Sequence, residues 1–290
     1  MEALTYYLFR FFILIFRIIP FPLLYLFSDL VYLLNYYLIG YRKKVVLDNL
    51  RRSFPEKPEE EIRKLARGFY QHLSDLLVES LKAFSMKEED VVKRYQYENT
   101  GFLNEMYQQG RSVLCIAGHY NNWEWGGIAS GLQLMHRPVG FYKPLSNKLI
   151  DAYVQKTRVR GRSVLVSISD TPAVFETNYG EPVIYYMVAD QCPSSPRLAH
   201  WMQFLNQDTA VLHGPEKYAT LHNLPVVYAW NRKIKRGNYR ITFSLLTDDP
   251  SKMAKGEISE KFMKALEQTI LEAPQYYLWS HKRWKLKREK

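Results

Sequence analysis

The chain has 290 residues, of which 47% are hydrophobic and 15% aromatic, ample for a packed core and for one large domain or two small ones. A formal net charge of +11 implies an acidic partner: an anionic membrane, an acidic carrier protein, a phosphorylated substrate or nucleic acid. Two distant cysteines, Cys115 and Cys192, fit neither a disulfide framework nor a metal site, which agrees with a reducing compartment.

Residues 4–41 are the most apolar part of the chain. Arg10, Arg17 and Asp29 interrupt them, so no uncharged run reaches the ~18 residues of a clean spanning helix. Arg10 and Arg17 are seven apart and share a helical face, which makes 4–19 amphipathic. Pro20 and Pro22 break the helix, and a second one is expected over 23–41, with Ser28, Asn35 and Arg42 along one polar line. A buried helical hairpin would carry the same pattern. The basic cluster Arg42-Lys43-Lys44 that follows points instead to a membrane anchor over 1–41, with its flank on the cytoplasmic side. Arg17 within the apolar run and the lack of a small-residue cleavage site speak against a signal peptide.

Residues 45–99 read as helical. Ile62, Leu65, Phe69, His72, Leu73 and Leu76 form one stripe, and His72 is expected to be a packed, satisfied core histidine. Ser85 and Glu88 resemble a capping box. From residue 100 the pattern alternates. Strands are predicted at 112–117, 137–142, 163–168, 182–189, 225–231 and 239–245. Helices are predicted near 122–134, 146–160, 171–178, 214–222 and 257–272. The fold class is therefore α/β: one domain over 42–290, with a mostly parallel sheet flanked by helices, behind the N-terminal anchor.

Chemistry centres on Val113-Leu-Cys-Ile-Ala-Gly-His-Tyr-Asn-Asn-Trp-Glu124. A buried strand ends at Gly118, His119 follows, and a helix starts near Asn121 or Asn122, both good N-caps. A neutral imidazole there can take a proton from a hydroxyl. A carboxylate on its other ring nitrogen would fix the tautomer, and Glu124 is the expected partner. A capping histidine beside a dipole-favouring glutamate would look the same locally. Asp190-Gln191 closes the strand at 182–189 and would face the same crevice. His200 and His213 suggest a metal with His119 and Asp190, but no two ligands have tight local spacing.

The Gly118–Glu124 segment resembles the His-x4-Asp/Glu box of glycerolipid acyltransferases, and most of all that of the lipid A late acyltransferases. Asn49-Leu-Arg-Arg-Ser-Phe-Pro-Glu56, Ala189-Asp190-Gln191 and Pro274-Gln-Tyr-Tyr-Leu-Trp-Ser-His-Lys-Arg-Trp-Lys285 fit the same family, in its order, across nearly the whole chain. Cys192-Pro193 departs from the family's usual glycine after Asp-Gln.

The resemblance implies transfer of a fatty acyl chain from acyl carrier protein to a lipid hydroxyl at the inner membrane. His119 and Glu124 would be catalytic, Arg158, Asp190, Gln191 and Asn122 would bind substrate, and neither metal nor cofactor would be needed. Arg158 is the best match to a family arginine, with Arg160 two residues away. As plain residues, Lys156 to Arg162 would be solvated helix-end charges. The basic tail from Trp279 suggests an interfacial role for Trp279 and Trp284; no nucleic-acid motif accompanies the charge. A hydrolase using the same pair on water and a non-enzymatic membrane adaptor are the rival readings. No Gly-x-Ser-x-Gly elbow is present for an α/β-hydrolase mechanism.

Overall fold

The computed structural model describes residues 2–196 and 199–288. Helix α1 (Glu2–Ile18) stops before Pro20. Helix α2 (Phe21–Leu33) runs on as a π-helical stretch, Leu34–Ile39, and ends at Gly40, whose φ of +64° suits a left-handed cap. After α3 (Lys43–Ser53) comes the long α4 (Glu59–Ala83), which receives one side of this helical pair. Ile13, Phe16, Leu24 and Ser28 are buried; Leu8, Phe11, Leu26, Leu30, Leu38 and Ile39 are exposed on the other side. Ser28 Oγ donates to Asp75 at 2.8 Å, and Lys82 Nζ donates to the Phe16, Arg17 and Ile19 carbonyls at the end of α1. The predicted anchor is thus also a layer of the fold. Among the described residues, one helix, Phe21–Ile39, is long and apolar enough to cross a membrane.

Seven strands among the described residues form one sheet: β1 (Tyr95–Tyr97), β2 (Val113–Ala117), β3 (Arg137–Tyr142), β4 (Val164–Ser167), β5 (Val183–Val188), β8 (Val226–Lys235) and β9 (Asn238–Thr247). The order is β1-β9-β8-β2-β5-β3-β4, parallel except for the β8–β9 hairpin. Helices α5 (Glu88–Arg94), α6 (Gly101–Gln108), α7 (Trp123–Gln133), α8 (Lys148–Arg158), α9 (Thr171–Glu176), α10 (Gly214–Leu221) and α11 (Glu257–Glu272) connect and cover the strands. Two large apolar clusters flank the sheet, one including Leu114, Ile116, Phe262 and Leu266, the other Cys115, Trp125, Ile128 and Ala129. Successive residues of β2 therefore face opposite layers, both dry.

Three elements differ from expectation. β1 falls inside the 45–99 stretch expected to be helical. Between the strand expected at 182–189 and the helix expected at 214–222, where no element is predicted, lies a separate hairpin, β6 (Ala199–Phe204) with β7 (Gln207–Leu212), turning at Leu205-Asn206 with both φ positive. Ser85 caps nothing ahead of it: its Oγ donates back to the Lys82 carbonyl, and α5 starts after Lys87.

Candidate active site

The site lies where β2 and β5 run side by side. In their parallel register Ala117 pairs with Val188, so the residues two further on, His119 and Asp190, leave the sheet together. His119 Nδ1 and Asp190 Oδ1 are 2.6 Å apart. Asp190 is 2% exposed. Burial lowers the His119 pKa, but the charge and hydrogen bond of Asp190, helped by the charge of Glu124, outweigh it, and the net shift is upward. Asp190 shows the matching behaviour: burial raises its pKa, and His119, then Arg283, bring it below the ordinary carboxylate value. With Nδ1–H donating to Asp190, Nε2 carries the lone pair. The Gln191 amide lies 3.2 Å from that nitrogen.

The expected His119–Glu124 pair is therefore replaced by His119–Asp190. Glu124 sits in the first turn of α7, and both its oxygens meet Nη2 of Arg158 at 2.8 Å. The five-residue separation carries Glu124 away from the ring, while strand register delivers Asp190 to it. Arg158 ends α8, and the loop after it docks on α7 at Gly131, where a Cβ would collide with the Arg160 carbonyl and Ser163. Arg158 Nε is buried with no partner among the described residues. Arg160 and Arg162 are not merely solvated. Arg160 donates to the Met86 and Ala83 carbonyls at 2.6 and 2.9 Å, closing the end of α4, and Arg162 pairs with Glu181 at 2.5 Å.

Asn122 caps α7, accepting from Trp125 N at 2.9 Å, and its Nδ2 donates to Glu79 Oε2 at 2.7 Å. It is buried with both polar ends engaged within the protein, and it shapes the turn. Glu79, fully buried, also accepts from Tyr25 and Tyr239 at 2.7 and 2.8 Å. Burial pushes its pKa up to about 7. Sequence reasoning missed this hub, because it appears only as one acid in an amphipathic helix.

The four stretches that resembled one family converge here. Leu278 N donates to the His119 carbonyl, and Asn49 Nδ2 donates to the Trp279 and His281 carbonyls. His281 Nε2 accepts from Cys192 N at 3.1 Å, fixing the loop after Gln191, and burial drops its pKa to about 4. Bacterial lipid A biosynthesis acyltransferase is the family whose profile matches residues 1–286. The chain belongs to that family. It is an acyltransferase. It is 24% identical over 250 residues to the lipid A biosynthesis lauroyltransferase of Escherichia coli, covering 86% of this chain and 80% of that one. It is 23% identical to the palmitoleoyltransferase of the same organism, covering 84% and 79%, and 21% identical to a lipid A biosynthesis acyltransferase of Haemophilus influenzae, covering 92% and 86%.

Beside the His119–Asp190 pair lies a cavity of about 190 Å³. Gly118, Trp123, Glu124 and Arg158 line it together with apolar residues such as Ile128 and Leu165. Trp123 also packs edge-on against the His119 ring, centroids 5.1 Å apart. The remaining candidates fall elsewhere. His200 bonds Glu260 at 3.0 Å, and His213 is 3.9 Å from Glu216. Trp279 and Trp284 are buried, with their indole N–H groups donating to the Pro274 carbonyl and to Thr209, so they belong to the core and not to an interface. Arg283 is buried too, its Nη1 donating to the Ala210 carbonyl. Of the basic tail, Glu289 and Lys290 lie outside the described residues.

Proposed function

We propose that this acyltransferase moves a fatty acyl chain from the thioester of acyl carrier protein to a hydroxyl of a lipid A precursor, at the cytoplasmic face of the inner membrane. The observation that carries the reading is the His119–Asp190 pair beside an apolar cavity whose lining includes Gly118, Val188 and Arg158. His119 Nε2 takes the proton of the acceptor hydroxyl, once Gln191 gives way. The alkoxide oxygen attacks the thioester carbonyl, and the tetrahedral oxyanion draws on Arg158, whose Nε–H is unpartnered. The C–S bond then breaks, the thiolate leaves, and the imidazolium returns its proton to sulfur. Asp190 holds the tautomer throughout and Gln191 flanks the base.

The acceptor is read from the names of the relatives. The acyl chain would lie in the apolar cavity. The exposed apolar side of residues 1–41 supports the membrane, and the charge of +11 supports an acidic carrier and an anionic surface. Incubation of purified enzyme with acyl carrier thioester, with and without lipid A precursor, tests the reading. Acylated lipid is the expected product. Free fatty acid as the main product in both reactions would make the enzyme a thioesterase.

A further inference from the structure

A groove of about 760 Å³ runs along α8 and the loop before it. Tyr142 and Val159 line both this groove and the apolar cavity beside His119, so the two spaces adjoin. Strand register explains why. Tyr186 pairs with Cys115 on one side and with Gly140 on the other, so Tyr142, two residues past Gly140, stands level with Ala117. The loop that follows Tyr142 therefore leaves the sheet at the same edge as His119.

Three features of this groove fit one kind of partner. The first is charge. Lys148 and Lys156 line it from one face of α8, about 12 Å apart by helical rise, with exposed Ala152 between them. Lys143 is exposed just past Tyr142. None of the three has a hydrogen bond or an ion pair among the described residues. Asp151, which also lines the groove, is already engaged, accepting from Leu145 N at 2.9 Å and from Gln155 Nε2 at 2.8 Å. The second is apolar surface. Leu145, Leu149 and Val159 are exposed beside the lysines, and apolar area ringed by charge suits the face of a protein. The third is the order of the linings. The groove carries Ser146, Gln155 and Tyr142, whereas the cavity it adjoins carries Ile128, Leu165 and Val188. A polar arm followed by an apolar chain would meet matching surfaces in that order.

We infer that this face of α8, with the loop before it, is where the acidic carrier protein docks. Its acidic surface lies on Lys143, Lys148 and Lys156, and its pantetheine arm follows the groove past Tyr142 and Val159 to the His119–Asp190 pair. The inference rests on the proposed function and adds the seat of the donor protein. An anionic membrane would meet the same lysines, since α1 lies against α8: Asn147 Nδ2 donates to the Glu2 carbonyl at 3.0 Å, and the Phe9 and Tyr153 rings stand 5.7 Å apart. A bilayer has no arm to send along the groove, and the passage into the cavity beside His119 favours the carrier.

Calorimetric titration of the detergent-solubilised full chain with an acyl carrier protein in its phosphopantetheinyl form, bearing no acyl chain, tests this. Binding should be saturable at low salt and should weaken as salt rises. Lys143→Glu/Lys148→Glu/Lys156→Glu should raise Kd by at least about tenfold, because like charges then face each other across the contact. The three arginine replacements should bind as wild type does. All three side chains are exposed, so the charge-reversed protein should melt with wild type. In acyl transfer it should show a raised KM for the carrier thioester with kcat retained, and wild-type kinetics with an S-acyl pantetheine, which lacks the carrier. Unchanged carrier binding in the charge-reversed protein would overturn the assignment; if that protein instead no longer sediments with phosphatidylglycerol vesicles, the lysines serve the membrane. An equal loss with S-acyl pantetheine would overturn it as well, by placing the lysines at the reacting groups. A protein that binds the carrier through these lysines but transfers no acyl chain keeps this surface and loses the proposed reaction; one that transfers from the carrier thioester at the same KM with or without them loses this surface alone.

Discussion

His119 and Asp190 meet at 2.6 Å although 71 residues separate them, because adjacent parallel strands end in register behind them. In the proposed reaction this geometry makes Asp190 the carboxylate that orients the base. Asp190→Asn should lower kcat by about 10³–10⁴-fold, the size of loss seen when the acid behind a catalytic histidine is removed. Glu124→Gln should cost much less. Initial rates for the two purified variants decide it, and equal losses would return Glu124 to the orienting role.

The pH dependence follows from the same pair. His119 acts as a base only when neutral, and its pKa stands above the ordinary 6.5 because Asp190 and Glu124 outweigh burial. The acid limb of kcat/KM should therefore lie above pH 6.5, activity rising as the proton is lost. In Asp190→Asn the limb should move to lower pH while the plateau falls. A wild-type limb at or below 6.5 would contradict the ion-pair picture.

Arg158 should matter through its charge and its fork. Arg158→Ala is expected to lower kcat by about 10²-fold or more, the scale of one lost oxyanion donor, with Arg158→Lys restoring part. Arg160→Ala should instead lower stability by about 1–3 kcal/mol, because it frees two carbonyls at the end of α4, and should leave kcat near wild type. Thermal melts and rates on the same preparations separate the two roles.

Glu79 sets a stability signature. Its folded pKa of about 7 exceeds the ordinary 4.5, so the native state holds the proton more tightly than the unfolded chain. The stabilisation is complete below 4.5 and is lost as pH rises through about 7. The full swing is about 3 kcal/mol. Glu79→Gln should flatten this window. Chemical denaturation across it, wild type minus variant, gives the difference directly, and parallel curves would show that Glu79 stays ionised throughout.

The exposed side of the N-terminal helices should serve binding and the buried side folding. Leu26→Glu with Leu38→Glu should reduce sedimentation with anionic vesicles and leave stability within about 0.5 kcal/mol. Ser28→Ala should do the reverse, removing a buried bond to Asp75 at a cost of about 1 kcal/mol. Vesicle binding that survives the double substitution would locate the anchor elsewhere.

The strand, turn and helix at 113–134 were legible because a dry β-forming run, a glycine and an asparagine cap are all local signals. So was Asp190, as a carboxylate at a strand end. What the chain order hid was which acid reaches His119, since sequence spacing reports neighbours along the chain and register decides neighbours across it. Trp279 and Trp284 looked interfacial because they stand among cations, yet their N–H groups find partners in the interior. The β6–β7 hairpin escaped because its turn uses Leu205, a buried residue, where a glycine would have announced it. His72 is packed as expected but not satisfied, since neither ring nitrogen has a partner among the described residues, and nothing in a periodic stripe reveals that.

The carboxylate of Glu79 is held by Tyr25 on the second apolar helix and by Asn122 at the start of the catalytic one. These two bonds tie the position of the second apolar helix to that of the turn carrying His119. On the proposed membrane seating they would act as a depth gauge, holding His119 at a set height above the lipid, so that an acceptor would be selected by how far its hydroxyl stands out from the surface.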